Sequence, residues 1–184
     1  MSDLFLGWDL STQSLTVAAT QRDGTVVYRH QLDFDRDMSE YGTRNGCLHG
    51  PMEGETDDTH PGLVRSPAMM WVDAFLRVLQ QMKTEQFPFD RVRAISGSAQ
   101  QHATVYWATS QFPVDLYEVT DLDHAAKEKL AQEVFSLPLS PIWRDASTGE
   151  QCQEMKSQCP SLWWRQVSGS VPYLRFSGTK EKIS

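Results

Sequence analysis

The chain has 184 residues, a formal net charge of -7 at pH 7 and 40% hydrophobic residues, including six tryptophans. This composition indicates a globular protein, either one domain or a long part of a larger one, and excludes a disordered chain. The negative charge argues against a nucleic-acid partner, because neutralising a phosphate backbone requires clustered Lys and Arg, and it favours a small-molecule ligand.

Two further properties bear on where the protein works. No apolar run approaches the roughly 18 residues of a membrane span, and no basic region precedes the first strand, so we expect neither a membrane helix nor a signal peptide. The three cysteines, Cys47, Cys152 and Cys159, are odd in number and lack CxxC spacing. They indicate reduced thiols and a cytoplasmic protein rather than a disulfide framework or a zinc site.

Apolar residues on both sides of a short polar segment predict strand, tight turn and strand over residues 4–16. Gly7 permits a close backbone approach, and the turn from Leu10 to Gln13 offers amide N–H groups and hydroxyls to phosphate oxygens. Asp9 can hold Mg²⁺ directly or through water. An ordinary hairpin with a polar turn explains this segment equally well, so both interpretations stay open here.

The first third of the chain predicts an antiparallel meander, with strands at Leu4–Asp9, Leu15–Gln21 and Thr25–Phe34. Asp23 and Gly24 form a strong tight-turn signal between the second and third strands. Residues 35–66 then lose all periodicity and predict a long, solvated acidic loop. A metal site in this loop is disfavoured because its candidate ligands lack the short fixed spacing of hard-metal loops; they are His49, Asp57, Asp58 and His60.

The middle of the chain predicts a helix and two core strands. Ser66 as a cap and Pro67 in the first turn indicate a helix over Pro67–Lys83. A short buried strand follows at Val92–Ile95, a loop of small residues at Ser96–Ala103, and another strand at Thr104–Trp107.

The loop before that last strand carries Gln100, Gln101 and His102. Gln both donates and accepts hydrogen bonds and His can do either, which suits the hydroxyls of a polyol. A histidine that satisfies a core backbone group is an equally good interpretation of His102.

The last third predicts a helix over Asp123–Phe135 and a strand over Leu139–Trp143. Ser147 and Glu150 match a capping box for a helix that ends near Ser157. Asp145 follows the carboxyl end of the strand, where ligands bind in open α/β sheets, so it is either a ligand residue or part of the cap.

Several of these segments together carry a resemblance. The segments that carry it are, in chain order, Gly7–Gln13, Phe34–Asp37, Gly97–His102, Pro141–Thr148 and Tyr173–Gly178. In this order they resemble the eukaryotic xylulose kinases of the FGGY carbohydrate-kinase family. The resemblance implies an α/β ribonuclease-H-like (actin-like ATPase) domain with a mixed sheet and flanking helices. It also implies ATP-dependent phosphorylation of D-xylulose.

The resemblance assigns roles to particular residues. The residues that it places against the ATP phosphates and Mg²⁺, with Asp9 as the metal-facing carboxylate, are Asp9, Ser11, Thr12 and Gln13. The residues that it places near D-xylulose are Gln101, His102, Asp145 and Arg175.

The family pattern continues beyond what residues 1–184 match. Family members have a second actin-like domain that supplies the aspartate base, so we expect this chain to be an incomplete N-terminal domain, inactive by itself. The alternatives are a non-catalytic sugar-binding or regulatory fragment and a more distant actin-like ATPase without a sugar substrate. The Gln100–His102 loop argues against the last of these.

Overall fold

The computed structural model describes residues 2–51, 62–108 and 119–180. Nine strands are named in chain order: β1 (Leu4–Leu10), β2 (Ser14–Thr20), β3 (Val26–Asp33), β4 (Leu48–His49), β5 (Val64–Pro67), β6 (Val92–Ala99), β7 (Tyr106–Trp107), β8 (Phe135–Leu137) and β9 (Leu139–Pro141). The helices are α1 (Phe34–Asp37), α2 (Ala68–Thr84), α3 (His124–Val134), α4 (Gly149–Gln158), α5 (Ser161–Ser168) and α6 (Ser177–Lys180), with 3₁₀ turns at Ser39–Tyr41 and Phe89–Arg91.

The main sheet has four strands in the order β3-β2-β1-β6. β1, β2 and β3 form the predicted antiparallel meander, and β6 pairs with β1 in parallel. A three-stranded sheet of β4, β5 and β9 and a small pair of β7 with β8 complete the strand pairing. The predicted α/β fold with a mixed sheet and flanking helices is confirmed.

The core lies between this sheet and α2. On β2, Leu15, Val17 and Ala19 are buried at every second position, as expected for a strand with one covered face. On α2 the buried residues recur every four positions, at Met70, Ala74, Val78 and Met82. Each large apolar side chain buried in this way contributes about 1.5–3 kcal/mol, so the sheet and α2 form one stable unit.

Strand β6 differs from its prediction in both length and burial. It continues to Ala99, so the loop predicted to start at Ser96 begins only at Gln100. The prediction of a buried strand at Val92–Ile95 is wrong, because Ile95 is 67% exposed. β6 forms the edge of the main sheet, and β1 is the one strand that pairs with it within the described part of the chain.

The predicted long loop at residues 35–66 contains regular structure where it is described. Helix α1, a 3₁₀ turn and strands β4 and β5 interrupt it. Three of the disfavoured metal ligands, Asp57, Asp58 and His60, lie outside the described residues. His49 lies on β4, with its Nε2 at 3.8 Å from Cys47 Sγ.

Both predicted serine caps are wrong. Ser66 belongs to β5 and donates its hydroxyl to Gly46 O at 2.9 Å, which leaves Pro67 as the residue before α2. Ser147 donates to Asp145 instead of capping α4, which begins after Thr148. The predicted helix over Asp123–Phe135 is confirmed as α3, and the Asp123 side chain accepts from Ala126 N–H at its start.

Helices of the described residues are all too short or too polar to cross a lipid bilayer.

Candidate active site

The parallel pairing of β1 and β6 creates the site, because the carboxyl ends of both strands meet at one edge of the sheet. Asp9 on β1 pairs in register with Ser98 on β6. Just beyond them, the backbone N–H of Gln100 donates to Leu10 O at 2.9 Å. The turn Ser11–Gln13 and the loop that starts at Gln100 therefore leave the sheet side by side.

Asp9 presents a fixed, exposed carboxylate at this edge. Ser11 Oγ donates to its Oδ2 at 2.9 Å, and Ser98 Oγ donates to its Oδ1 at 2.9 Å. Mg²⁺ usually takes one or two carboxylates and completes its shell with waters and substrate phosphates. The single exposed carboxylate of Asp9 fits a metal whose other ligands come from a nucleotide and water. Among the described residues no cluster of three metal-type side chains occurs.

Thr12 and Gln13 at the tip of the turn bind side chains from distant segments. The Trp143 indole Nε1–H donates to Thr12 Oγ1 at 2.9 Å, and Thr12 Oγ1 donates to Gln100 Oε1 at 3.2 Å. Gln13 Nε2 donates to Asn45 Oδ1 at 3.3 Å. The tip is thus bound by three side chains that are far away in sequence.

Gly46 packs directly against this tip. A Cβ atom placed on Gly46 would lie 1.9 Å from Thr12 O, and the residue has φ +73°, in the left-handed region that favours glycine. The backbone of Gly46 therefore approaches the turn as closely as only a glycine allows.

Asp35 organises the Gly46 segment. Its carboxylate accepts from Asn45 N–H at 2.5 Å, Gly46 N–H at 3.0 Å and Thr43 Oγ–H at 2.8 Å. Burial raises the pKa of Asp35, but the hydrogen bonds from Gly46, Thr43 and Asn45 outweigh burial and hold the pKa below its usual value. The ionised carboxylate of Asp35 therefore stabilises the Gly46 segment that packs against the turn Ser11–Gln13.

A pocket of about 450 Å³ opens beside the turn. Three of the four residues predicted to bind sugar line it, namely Gln101, His102 and Arg175. The remaining lining residues are Gln100, Trp143 and Phe176. His102 has φ +57°, a strained value for a non-glycine residue, and its ring packs on Phe176 with centroids 4.9 Å apart.

The segment that carries Arg175 is held by threonine hydroxyls. Thr148 Oγ1 donates to Leu174 O at 2.8 Å, and Thr104 Oγ1 donates to Ser177 Oγ at 3.0 Å. The guanidinium of Arg175 lies over the Tyr173 ring, 5.2 Å from its centroid. These contacts position Arg175 beside the loop of His102.

Asp145 is not brought together with the other predicted sugar residues. It is 1% exposed, and its Oδ1 accepts from Val64 N–H at 3.2 Å while its Oδ2 accepts from Ser147 Oγ–H at 3.1 Å. The preceding strand β9 is antiparallel to β5 in the smaller sheet. Asp145 therefore does not follow a strand of a parallel sheet, where ligands bind at the carboxyl ends.

Sequence reasoning missed several residues that shape the site. Asn45 and Gly46 form a turn dipeptide that signals positive φ, but no local pattern shows that Asn45 bonds Gln13 or that Gly46 contacts Thr12. Trp143 and Phe176 have no local signal of a pocket position at all, because tryptophan and phenylalanine are common in cores.

Comparison with known proteins identifies the fold and the relatives of the chain. No family model matches the chain. Among solved structures, xylulose kinase from Rhodospirillum rubrum superimposes on 98% of this chain with a TM-score of 0.62 at 16% identity, and Plasmodium falciparum glycerol kinase with ADP superimposes on 97% with a TM-score of 0.58 at 14% identity. The chain therefore has the fold of the sugar kinases, which is an actin-like ATPase fold.

Within that class, the sequence of the chain is related to the xylulose kinases, which confirms the resemblance that its motifs predict. It is 36% identical to xylulose kinase 2 of Arabidopsis thaliana over 176 residues and 36% identical to rat xylulose kinase over 177 residues, in each case along 95% of this chain. Identity to the Saccharomyces cerevisiae xylulose kinase is 32% over 186 residues. The chain spans only 28–31% of the length of these relatives.

Proposed function

We propose that this chain supplies the phosphate-binding turn and the sugar pocket of an ATP-dependent D-xylulose kinase. The observation that carries the proposal is the pocket that unites Gln101, His102 and Arg175 directly beside the turn of Thr12. The relatedness to xylulose kinases supports the choice of sugar.

The pocket chemistry suits a polyol. Gln101 offers both a donor and an acceptor, His102 can donate or accept, and Arg175 only donates, so together they match hydroxyls that need both kinds of partner. Phe176 supplies an apolar surface against the carbon chain.

The turn chemistry suits nucleotide phosphates. We propose that Ser11, Thr12 and Gln13 present N–H groups and polar side chains to phosphate oxygens, and that Asp9 holds Mg²⁺ directly or through water. A bound Mg²⁺ would neutralise charge on the transferred phosphoryl group. The turn and the pocket are adjacent, which is the arrangement that in-line transfer to a sugar hydroxyl requires.

The base that removes the proton from the sugar hydroxyl is proposed to come from outside these residues. Within residues 2–51, 62–108 and 119–180 no aspartate or glutamate lines the pocket. We place that base in a second actin-like domain, with residues 1–184 acting as the N-terminal domain.

The sugar assignment is tested by titrating the purified chain with D-xylulose in a calorimeter. His102→Ala is expected to weaken binding by about ten- to a hundredfold, because the loss of one buried hydrogen bond costs roughly 1–3 kcal/mol. The matched control is His30→Ala, which alters a histidine on β3 outside the pocket. Unchanged affinity in a folded His102→Ala chain would remove His102 from the site, and a large fall in melting temperature alone would assign it a structural role.

A second candidate function is a non-catalytic sugar-binding fragment, which the absence of a carboxylate from the described pocket favours for this chain in isolation. We expect the chain to bind D-xylulose without phosphorylating it when ATP and Mg²⁺ are added. Sugar-dependent ADP formation above background, from a preparation free of other kinases, would contradict this expectation.

A further inference from the structure

The side chain of Gln100 lies between the turn and the pocket, and half of its amide lacks a partner. Its Oε1 accepts from Thr12 Oγ1 at 3.2 Å, whereas its Nε2 is buried with no hydrogen-bond partner among the described residues. Gln100 also lines the pocket together with His102 and Arg175. A buried N–H group without an acceptor is unfavourable, and an oxygen of a bound ligand would relieve that cost.

The contacts of Thr12 determine which end of the amide remains available. The Trp143 indole nitrogen can only donate, so the Thr12 oxygen must accept from it. The single hydroxyl proton of Thr12 is then free to donate to Gln100 Oε1. Turning the amide over would remove the acceptor for that proton, so the network favours the orientation that leaves Nε2 without a protein partner.

We propose that Gln100 is a ligand residue for the sugar, donating from Nε2 to a hydroxyl or carbonyl oxygen of D-xylulose, and that Thr12 is the positioning residue that orients its amide. This inference rests on the proposed function, because D-xylulose is the proposed ligand of that same pocket. Thr12, a residue of the proposed phosphate-binding turn, would then also affect the affinity for the sugar.

The first test replaces only the donor. Gln100→Glu keeps the shape of the side chain and an acceptor for Thr12, but the ionised carboxylate has no N–H to donate. We expect the Kd for D-xylulose, measured by calorimetry, to rise by about ten- to a hundredfold. Gln80→Glu introduces the same charge at an exposed position of α2 and is expected to leave the Kd unchanged.

The second test removes the orienting group. Thr12→Val keeps the approximate volume but lacks the hydroxyl, and we expect it to weaken D-xylulose binding by about three- to tenfold and to shift the Gln100 side-chain NH₂ resonances. Thr12→Ser returns the hydroxyl and is expected to restore both the affinity and the resonances. A role in stability alone would lower the melting temperature of Thr12→Val and leave the affinity of the folded variant for D-xylulose unchanged.

The outcomes separate the inference from the function on which it rests. If the wild-type chain binds D-xylulose and folded Gln100→Glu binds it with the same affinity, the ligand role of Gln100 is overturned. If folded Thr12→Val binds with the same affinity, the positioning role of Thr12 is overturned. The proposed function survives both results. Absence of saturable D-xylulose binding by the folded wild-type chain overturns all of them. If Gln100→Glu does not fold, the wild-type Gln100 NH₂ resonances decide: a saturable shift with D-xylulose supports the inference, and no shift overturns it.

Discussion

The turn Ser11–Gln13 and the pocket around His102 lie side by side, but they are held in place differently. The turn joins two paired strands of the main sheet and is pressed by the backbone of Gly46 and bound by Trp143. The pocket is formed by three segments, at residues 100–102, at Trp143 and at residues 175–176. Hydrogen bonds from hydroxyl groups and contacts between rings hold these segments together.

We therefore expect the turn to be rigid and the pocket to be more adaptable. Steric contact and strand pairing fix the turn before any ligand arrives, which suits the binding of phosphates in one geometry. The pocket depends on a few polar contacts of about 1 kcal/mol each, so changes there should alter affinity more than stability. Substitutions in the two regions should therefore have different signatures.

The largest effect is expected from Gly46→Ala. The new methyl group would lie 1.9 Å from Thr12 O at a φ of +73°, so the turn or the Gly46 segment must move. We expect a loss of about 3 kcal/mol, or roughly 6–12 °C in Tm for a chain of this size.

Gly42→Ala is its matched control. Gly42 also has a positive φ, +65°, but nothing lies within 4 Å of the added methyl group. It should cost only the backbone strain, about 1–2 kcal/mol. Equal melting temperatures for the two variants would show that the contact with Thr12 does not constrain the turn.

Asp35→Asn should have the next largest effect. The amide keeps one acceptor but loses the charge that binds three donors, so we expect a loss of about 1–2 kcal/mol at pH 7, measured by denaturant unfolding. The exposed Asp90→Asn should change little.

The effect of Asp35→Asn should also depend on pH. Because the folded pKa of Asp35 lies below the unfolded value of about 4, its contribution is complete above that pH and is lost as the pH falls through the lowered pKa. The stability difference between wild type and Asp35→Asn should therefore shrink below about pH 4. A difference that stays constant down to pH 2 would contradict the role of the ionised carboxylate.

Trp143→Phe should have the smallest effect on stability. It should affect both the turn Ser11–Gln13 and the pocket around His102. It removes the indole donor to Thr12, at about 1 kcal/mol, while an aromatic ring remains in the pocket wall. We expect the amide resonances of residues 11–13 and 100–102 to shift together. Trp107→Phe, which alters a ring packed on Phe135, should shift neither group, and shifts confined to one region would show that Trp143 does not link them.

What could be predicted from the sequence depended on whether the residues are adjacent in the chain. The hairpin was predictable because Leu4–Thr16 is one contiguous pattern of apolar and turn residues. The sugar-binding role of His102 and its neighbours, which three adjacent polar residues suggest, stays a prediction. The contact of Gly46 with Thr12 and the bond from Trp143 to Thr12 were not predictable, because each joins residues that are far apart in the chain. The exposure of Ile95 was missed because an apolar strand is buried only where another element covers it.

The most direct test of the account is a pair of titrations of the ¹⁵N-labelled chain, one with D-xylulose and one with Mg²⁺ and ADP. We predict that D-xylulose shifts the resonances of Gln101, His102 and Arg175, and that Mg²⁺ with ADP shifts those of Asp9 and residues 11–13. Both sets of shifts should saturate. Saturable D-xylulose shifts centred away from residues 101–102 and 175, or no saturable shift at all, would contradict the assignment of this pocket to the sugar.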